Sequence, residues 1–207
     1  TMRDRAIAFV PASGRQCTTL STMFGSHLQG MPIIAENGTY VVRDGVDISS
    51  STIDPNLTRE VITGVRQLRN DGHDVGFAVA TNSIAYLERG DDPFVSHVAT
   101  YYHSHRIVKD LSEHTDDVIK LSIYDFREAS EATYPTMQRT APEHQVILAT
   151  PNWVDIMNPG VNKGSAVEAV QRDLGVTADQ TAIFGDFLNE LEMMPMAMWS
   201  FALASGP

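Results

Sequence analysis

Apolar positions along this chain follow one rhythm at its two ends and another in its middle. At the start, the apolar run at residues 7–10 reads as a strand, residues 11–14 as its turn, and residues 15–28 as a helix stopped by Gly30 and Pro32. A second apolar run at 31–35 ends in the turn signal Glu36-Asn37-Gly38. From Tyr40 the pattern changes. Val41-Val42 and residues 46–48 flank Arg43-Asp44-Gly45, which predicts a hairpin. Asp54 then caps a helix with Pro55 in its first turn, and Leu57, Val61, Val65 and Leu68 share one face. Val75, Phe77 and Val79 alternate as a strand, and residues 83–87 return beside it. A helix follows over 94–102. Ile119, Leu121 and Ile123 alternate with Lys120, Ser122 and Tyr124, which predicts a strand with one wet face. A further helix near 128–139 and strands at 146–149 and 153–157 complete an α+β block. In the final third, residues 164–174 form an amphipathic helix with Val167, Val170 and Leu174 inward, closed by Gly175. Residues 181–184 read as a buried strand ending at Gly185-Asp186, 188–194 as a helix stopped by Pro195, and 199–203 as a last strand. The fold class is α/β: a Rossmann-like core with a parallel sheet, residues 1–39 and 153–207, interrupted by an α+β domain at 40–152.

The chain has 207 residues, 43% of them hydrophobic, enough for one large domain or two small ones. No run approaches the roughly 20 apolar residues that span a bilayer, and no signal peptide opens the chain. The single Cys17 cannot form an internal disulfide, which points to a reducing, cytoplasmic setting and to a small packed residue rather than a nucleophile. A formal charge of −11 argues against nucleic acid or an anionic membrane as partner. A small anionic substrate stays possible, because its site needs only a few local cations and helix-end amides. A monomer or homodimer is expected.

Three local patterns carry candidate chemistry. Pro11-Ala12-Ser13-Gly14-Arg15 puts a hydroxyl at the end of a strand, where sheet folds bind ligands; it also fits an ordinary turn with Ser13 as helix cap. Val161-Asn162-Lys163-Gly164-Ser165 sets a lysine at a helix start, where a cation either points to solvent or serves an anion. Phe184-Gly185-Asp186-Phe187-Leu188-Asn189-Glu190 delivers a carboxylate to a strand end, with an amide following. Those oxygens suit Mg²⁺, although a capped Gly-Asp turn has the same letters.

In this order, around an inserted block, the motifs resemble the haloacid dehalogenase superfamily, in particular Cof-type members with the larger, type IIB cap. The resemblance implies that Ser13 binds phosphate, with Gly14, Arg15 and Asn37 nearby. It implies that Lys163 balances the charge of nucleophile and phosphoryl group, that Asp186 binds Mg²⁺, and that Asn189 supports the metal. Glu190 stands behind them, in a position where the family usually has Asp. The family's Asp-x-Asp-Gly-Thr segment, source of nucleophile and general acid, is not found before Ser13, and the native protein is expected to carry it outside the sequence given. The implied activity is Mg²⁺-dependent phosphatase action on a small metabolite, a sugar phosphate first, through an aspartyl-phosphate. A sugar phosphomutase and a non-catalytic phospholigand-binding relative are the alternatives. His103 and His105 would share a face only on a strand, and Trp153 would either stack on a sugar or fill a core.

Overall fold

The computed structural model describes residues 2–186 and 188–204, and divides into two compact units: residues 1–50 with 160–207, and residues 51–159. The sequence reading put these divisions at 39/40 and 152/153. The first boundary moves because the predicted hairpin extends the sheet of the first unit. The second moves because the strand at Trp153 pairs within the inserted unit.

The first unit opens with a short 3₁₀ turn, Arg3–Arg5, and the strand expected at 7–10 does not form. Residues 7–10 join no ladder, and only Ala12 forms a parallel bridge, to Ile34. Helix α1 (Cys17–Phe24) and a 3₁₀ turn follow, then strand β1 (Pro32–Ala35). Strands β2 (Tyr40–Arg43) and β3 (Val46–Ser50) form the predicted hairpin, and β2 lies antiparallel between β1 and β3.

In the inserted unit, Asp54 caps α2 (Pro55–Asn70) by accepting from the Asn56 amide at 2.6 Å. There follow β4 (Val75–Thr81), β5 (Ala85–Leu87), α3 (Asp92–Tyr101), β6 (His105–Ile107), β7 (Val118–Asp125), α4 (Thr133–Thr140), β8 (Gln145–Leu148) and β9 (Trp153–Met157). These strands form one six-stranded sheet in the order β6-β5-β4-β7-β9-β8. One face packs Phe77, Val79, Leu121 and Ile123 against Val61, Val65 and Met137 from α2 and α4.

The other face is not wet, as the alternation in β7 had suggested. Lys120, Ser122 and Tyr124 are all buried, because Phe94, Val98 and Tyr102 from the α3 segment, with Trp153, cover that side. The polar groups meet one another there. Tyr102 Oη lies 2.9 Å from Ser122 Oγ, Ser122 donates to Asp155 at 2.6 Å, and Lys120 Nζ is 3.9 Å from Asp155. Burial of polar groups is tolerable when partners replace water.

At one edge of this unit Arg66 pairs with both Glu88 and Asp110. Hydrogen bonds from Ser112 and then Arg66 hold the Asp110 carboxyl down at about 2, against an ordinary 3.8. A carboxylate depressed on folding stabilises the fold above its unfolded pKa and loses that contribution as pH falls toward the folded value. Asp110→Asn is therefore expected to flatten the acid limb of a stability–pH curve between about pH 4 and 2. Circular dichroism melts across that window are the check, and an unchanged limb would count against the hold of Ser112 and Arg66 on this carboxylate.

The chain then returns to the first unit. Asn162 caps α5 (Lys163–Leu174) in a reciprocal box with Ser165, and Gly175 closes it in the left-handed conformation. Strands β10 (Ala182–Gly185) and β11 (Trp199–Ala202) run parallel. Val167, Val170 and Ala166 of α5 pack on Ile34, Val41, Ile183 and Met193. Strand β10 was expected to be buried. Ile183 is, but Phe184 is 66% exposed and stacks on Phe201, because α5 packs on the Ile183 face. Instead of a helix over 188–194, two short 3₁₀ turns form, Leu188–Glu190 and Met194–Met196, and Pro195 lies inside the second. Proline is tolerated at such a start, where its missing N–H is not needed. Phe187 lies outside the described residues.

Candidate active site

The carboxyl end of β10 and the first turn of α5 meet in the first unit, and they bring together the two later motifs. Lys163 is 3% exposed, and its Nζ donates to Glu190 Oε1 at 2.9 Å. The same carboxylate accepts from the Asp186 backbone N–H through Oε2 at 2.6 Å. The lysine therefore points neither to solvent nor along its own helix. It crosses to the loop after β10, where a carboxylate balances its charge. Asp186 is exposed at the strand end, which leaves its carboxylate accessible.

A second group of residues gathers at the turn after β1. Asn37 has φ 59° and ψ 23°, a left-handed conformation that Asn tolerates better than most residues. Its side-chain oxygen accepts from Asn189 Nδ2 at 3.3 Å. Gly14 lies on the same oxygen: a Cβ there would stand 2.7 Å from Asn37 Oδ1. Backbone bonds lock the early loop alongside, with Ser13 N–H donating to the Ile34 carbonyl, Asn37 N–H to that of Ser13, and Glu36 N–H to that of Arg15. Ser13 is not a helix cap. α1 starts only at Cys17, and Ser13 Oγ accepts instead from the Arg15 N–H at 3.2 Å. Thus Ser13, Gly14, Arg15, Asn37 and Asn189 belong to one set of contacts, and Lys163, Asp186 and Glu190 to another. Asn189 and Glu190 are neighbours in the chain and join the two.

Gly38 is the residue that sequence reasoning missed. It sits at φ 98°, against the carbonyl of Asn162, the residue before Lys163. A glycine after Asn in a turn was visible, but its long-range neighbour was not. The two histidines do not pair on one strand, since His103 precedes β6 and His105 Nδ1 lies 3.0 Å from the Tyr102 carbonyl oxygen. Trp153, 7% exposed, packs edge-on against Tyr101 and Tyr124 as core. Burial pushes the Cys17 thiol up, away from a reactive thiolate.

Among the described residues, no group of three His, Cys, Asp or Glu could hold a metal. The donors at the end of β10 still fit a hard cation of the Mg²⁺ kind. That ion takes one or two carboxylates and fills its other positions with water and substrate oxygens. Asp186 supplies an accessible carboxylate, and Asn189 an amide one turn on. No helix among the described residues is long and apolar enough to cross a membrane.

Over residues 1–207 the sequence matches the profile of a family described as haloacid dehalogenase-like hydrolases. It is 28% identical over 207 residues to the 5-amino-6-(5-phospho-D-ribitylamino)uracil phosphatase YbjI of Escherichia coli K12, covering 98% of this chain and 74% of that protein. To the HMP-PP phosphatase of Cronobacter sakazakii it is 22% identical over 199 residues, covering 95% and 71%. Its fold is similar to a crystal structure from Eubacterium rectale, with a TM-score of 0.87, 23% identity, and coverage of 100% of this chain and 78% of that one. It is also similar to a subclass IIB sugar phosphatase, BT4131, with a TM-score of 0.77, 18% identity, and coverage of 99% and 77%.

Proposed function

Because the chain belongs to the haloacid dehalogenase-like hydrolase family, we propose that it is a Mg²⁺-dependent phosphatase of small phosphorylated metabolites, with polyol and sugar phosphates the first class to test. The observation that carries this reading is the buried Lys163, braced by Glu190 next to an accessible Asp186 at a strand end. A cation held in place at low dielectric lowers the cost of gathering phosphoryl charge, because nothing has to reorganise as that charge develops.

In this proposal Asp186 holds Mg²⁺ with Asn189 beside it, and the bound ion supplies charge neutralisation on the phosphoryl oxygens. Lys163 offsets the remaining negative charge. Ser13 Oγ, with Gly14 and Arg15 beside it, orients the phosphate, and Asn37 fixes both the loop that carries Gly14 and the turn that carries Asn189. The nucleophilic aspartate is proposed to lie outside residues 1–207, on a strand beside β10. Among the described residues, β10 is paired on one edge only, with β11, and Phe184 is open. The inserted unit, residues 51–159, is proposed as the cap that selects the leaving group.

Phosphate release by the full-length protein with Mg²⁺ tests the reading. The panel should hold sugar, polyol and nucleotide monophosphates, together with the phosphoribitylaminouracil for which the E. coli relative is named. Asp186→Ala is expected to lower release by about 100-fold or more while leaving the melting curve intact, from the several kcal/mol that metal charge stabilisation supplies. Full-length protein that releases no phosphate from any member of the panel, yet still binds one, would leave the phospholigand-binding reading in its place.

A further inference from the structure

The sheet of the inserted unit ends in two edge strands, β6 and β8, and their sequences differ in kind. An open edge presents unpaired N–H and C=O groups to any passing strand, and charged side chains are the usual guard. β6 carries that guard: it reads His105-Arg106-Ile107, with Arg106 exposed and Lys109 just beyond. β8 reads Gln145-Val146-Ile147-Leu148, without a charge, a proline or a break in its register with β9. Its first three residues are half-buried and Leu148 is 38% exposed. Among the described residues nothing pairs with its outer edge.

The ladder fixes which groups face outward. Ala149 donates to the Trp153 carbonyl at 2.9 Å, so by alternation Gln145 and Ile147 also bond inward to β9. Val146 and Leu148 then turn their N–H and C=O outward. Two outward residues flanking one inward residue are self-complementary. A second β8, antiparallel about a twofold axis at Ile147, sets Val146 against the partner's Leu148 and Leu148 against the partner's Val146, closing both pairs of backbone hydrogen bonds. Ile147 meets its own copy at the close position between them, a β-branched cross-strand pair. The side chains agree. Val146 packs on the core cluster that holds Met137 of α4, and Leu148, two residues on, shares that face and gains the partner's Val146 as cover. α4 packs on β8, and the twofold runs its copy antiparallel. The exposed Arg139 in its last turn comes toward the partner's Glu131, which precedes the helix and is also exposed. β8 has no charge with which to choose a foreign strand, whereas its own copy matches it in register and in the charges alongside.

We propose that β8 is the contact through which two copies of this protein join, their inserted units forming one continuous sheet across a twofold axis. Sedimentation equilibrium of the full-length protein between about 1 and 100 μM is expected to show reversible association toward twice the monomer mass, as suits a small interface. Hydrogen exchange at the Val146 and Leu148 amides is expected to slow several-fold as concentration rises through that range. Leu148→Lys puts on β8 the guard that β6 has, and Leu148→Pro removes an outward N–H that the monomer's ladder does not use. Each is expected to weaken association by about tenfold or more, because each change acts at both symmetric positions. Ile107→Lys, on the guarded edge, is expected to leave association unchanged. Protein that stays monomeric at about 100 μM overturns the proposal. So does association that Leu148→Lys leaves unchanged, or that leaves the Val146 and Leu148 amides exchanging at the monomer's rate. If Leu148→Pro fails to fold, Leu148→Lys, at an exposed position, carries the comparison alone.

Discussion

Lys163→Met is expected to lower phosphate release about 100- to 1000-fold and to destabilise the first unit by about 3 kcal/mol. Methionine nearly matches the lysine stem, so packing of the buried aliphatic part survives. What disappears is the charge. Glu190 then keeps the Asp186 N–H as its partner but loses its cation while remaining mostly out of water. Breaking a buried pair from one side typically costs about 3–5 kcal/mol, and the lower end applies because the Glu190 side chain remains 12% exposed. For a protein of this size such a loss moves the melting midpoint by about 6–12 °C. Differential scanning calorimetry and a phosphate-release assay on the same preparation test both halves. A midpoint equal to that of the parent would mean the pair contributes no net stability, and full activity would remove Lys163 from the chemistry. Lys163→Arg is an informative companion, since it keeps the charge but brings a planar fork to a site shaped for a point cation.

Gly38→Ala is expected to cost about 2–5 kcal/mol and to reduce activity through the same movement. Two effects add there. The φ of 98° is one that an L-residue adopts only with strain, at about 1–2 kcal/mol, and the new methyl would stand 2.3 Å from the Asn162 carbonyl oxygen and 3.1 Å from the Lys163 nitrogen. Those neighbours are backbone atoms and cannot rotate away, so either the turn at 36–38 or the start of α5 must shift, an overpacking cost of about 1–3 kcal/mol. Gly30→Ala separates the terms, because Gly30 also has a positive φ, 74°, but nothing within 4 Å of the added carbon. Urea denaturation of the two variants should differ by the clash alone. Equal losses would show that strain accounts for everything and that the approach to Asn162 relaxes freely.

Much of the local structure was legible because local rules decided it. Asp54 with Pro55, the Asp44-Gly45 hairpin and the Gly175 stop are set by a few neighbouring residues, and the structure forms each as expected. The errors arose where facing elements decide. Alternation in β7 told which side chains share a face, but not that Phe94, Val98 and Tyr102 would roof over the polar side. The same limit let Phe184 pass as buried on its apolar character, although α5 packs on the Ile183 face. The domain boundaries slipped for a related reason, since a hairpin carries no mark of the sheet it will join. At the site, the motif order pointed to Lys163, Asp186 and Asn189. The roles of Asn37 and Gly38 are set by contacts with residues far along the chain, and single-letter patterns do not record those.

The inserted unit begins and ends at neighbouring points. Asn158 donates from its side-chain amide to Ser51 Oγ at 3.0 Å and to the Thr52 carbonyl at 2.7 Å, so entry and exit of the 51–159 segment are clasped together. A segment whose ends are fastened to each other asks little of its host beyond two adjacent attachment points. Through descent, such a part can be lengthened, shortened or exchanged for another while the host chain keeps its own threading. Selectivity and chemistry can then diversify on separate schedules within one lineage.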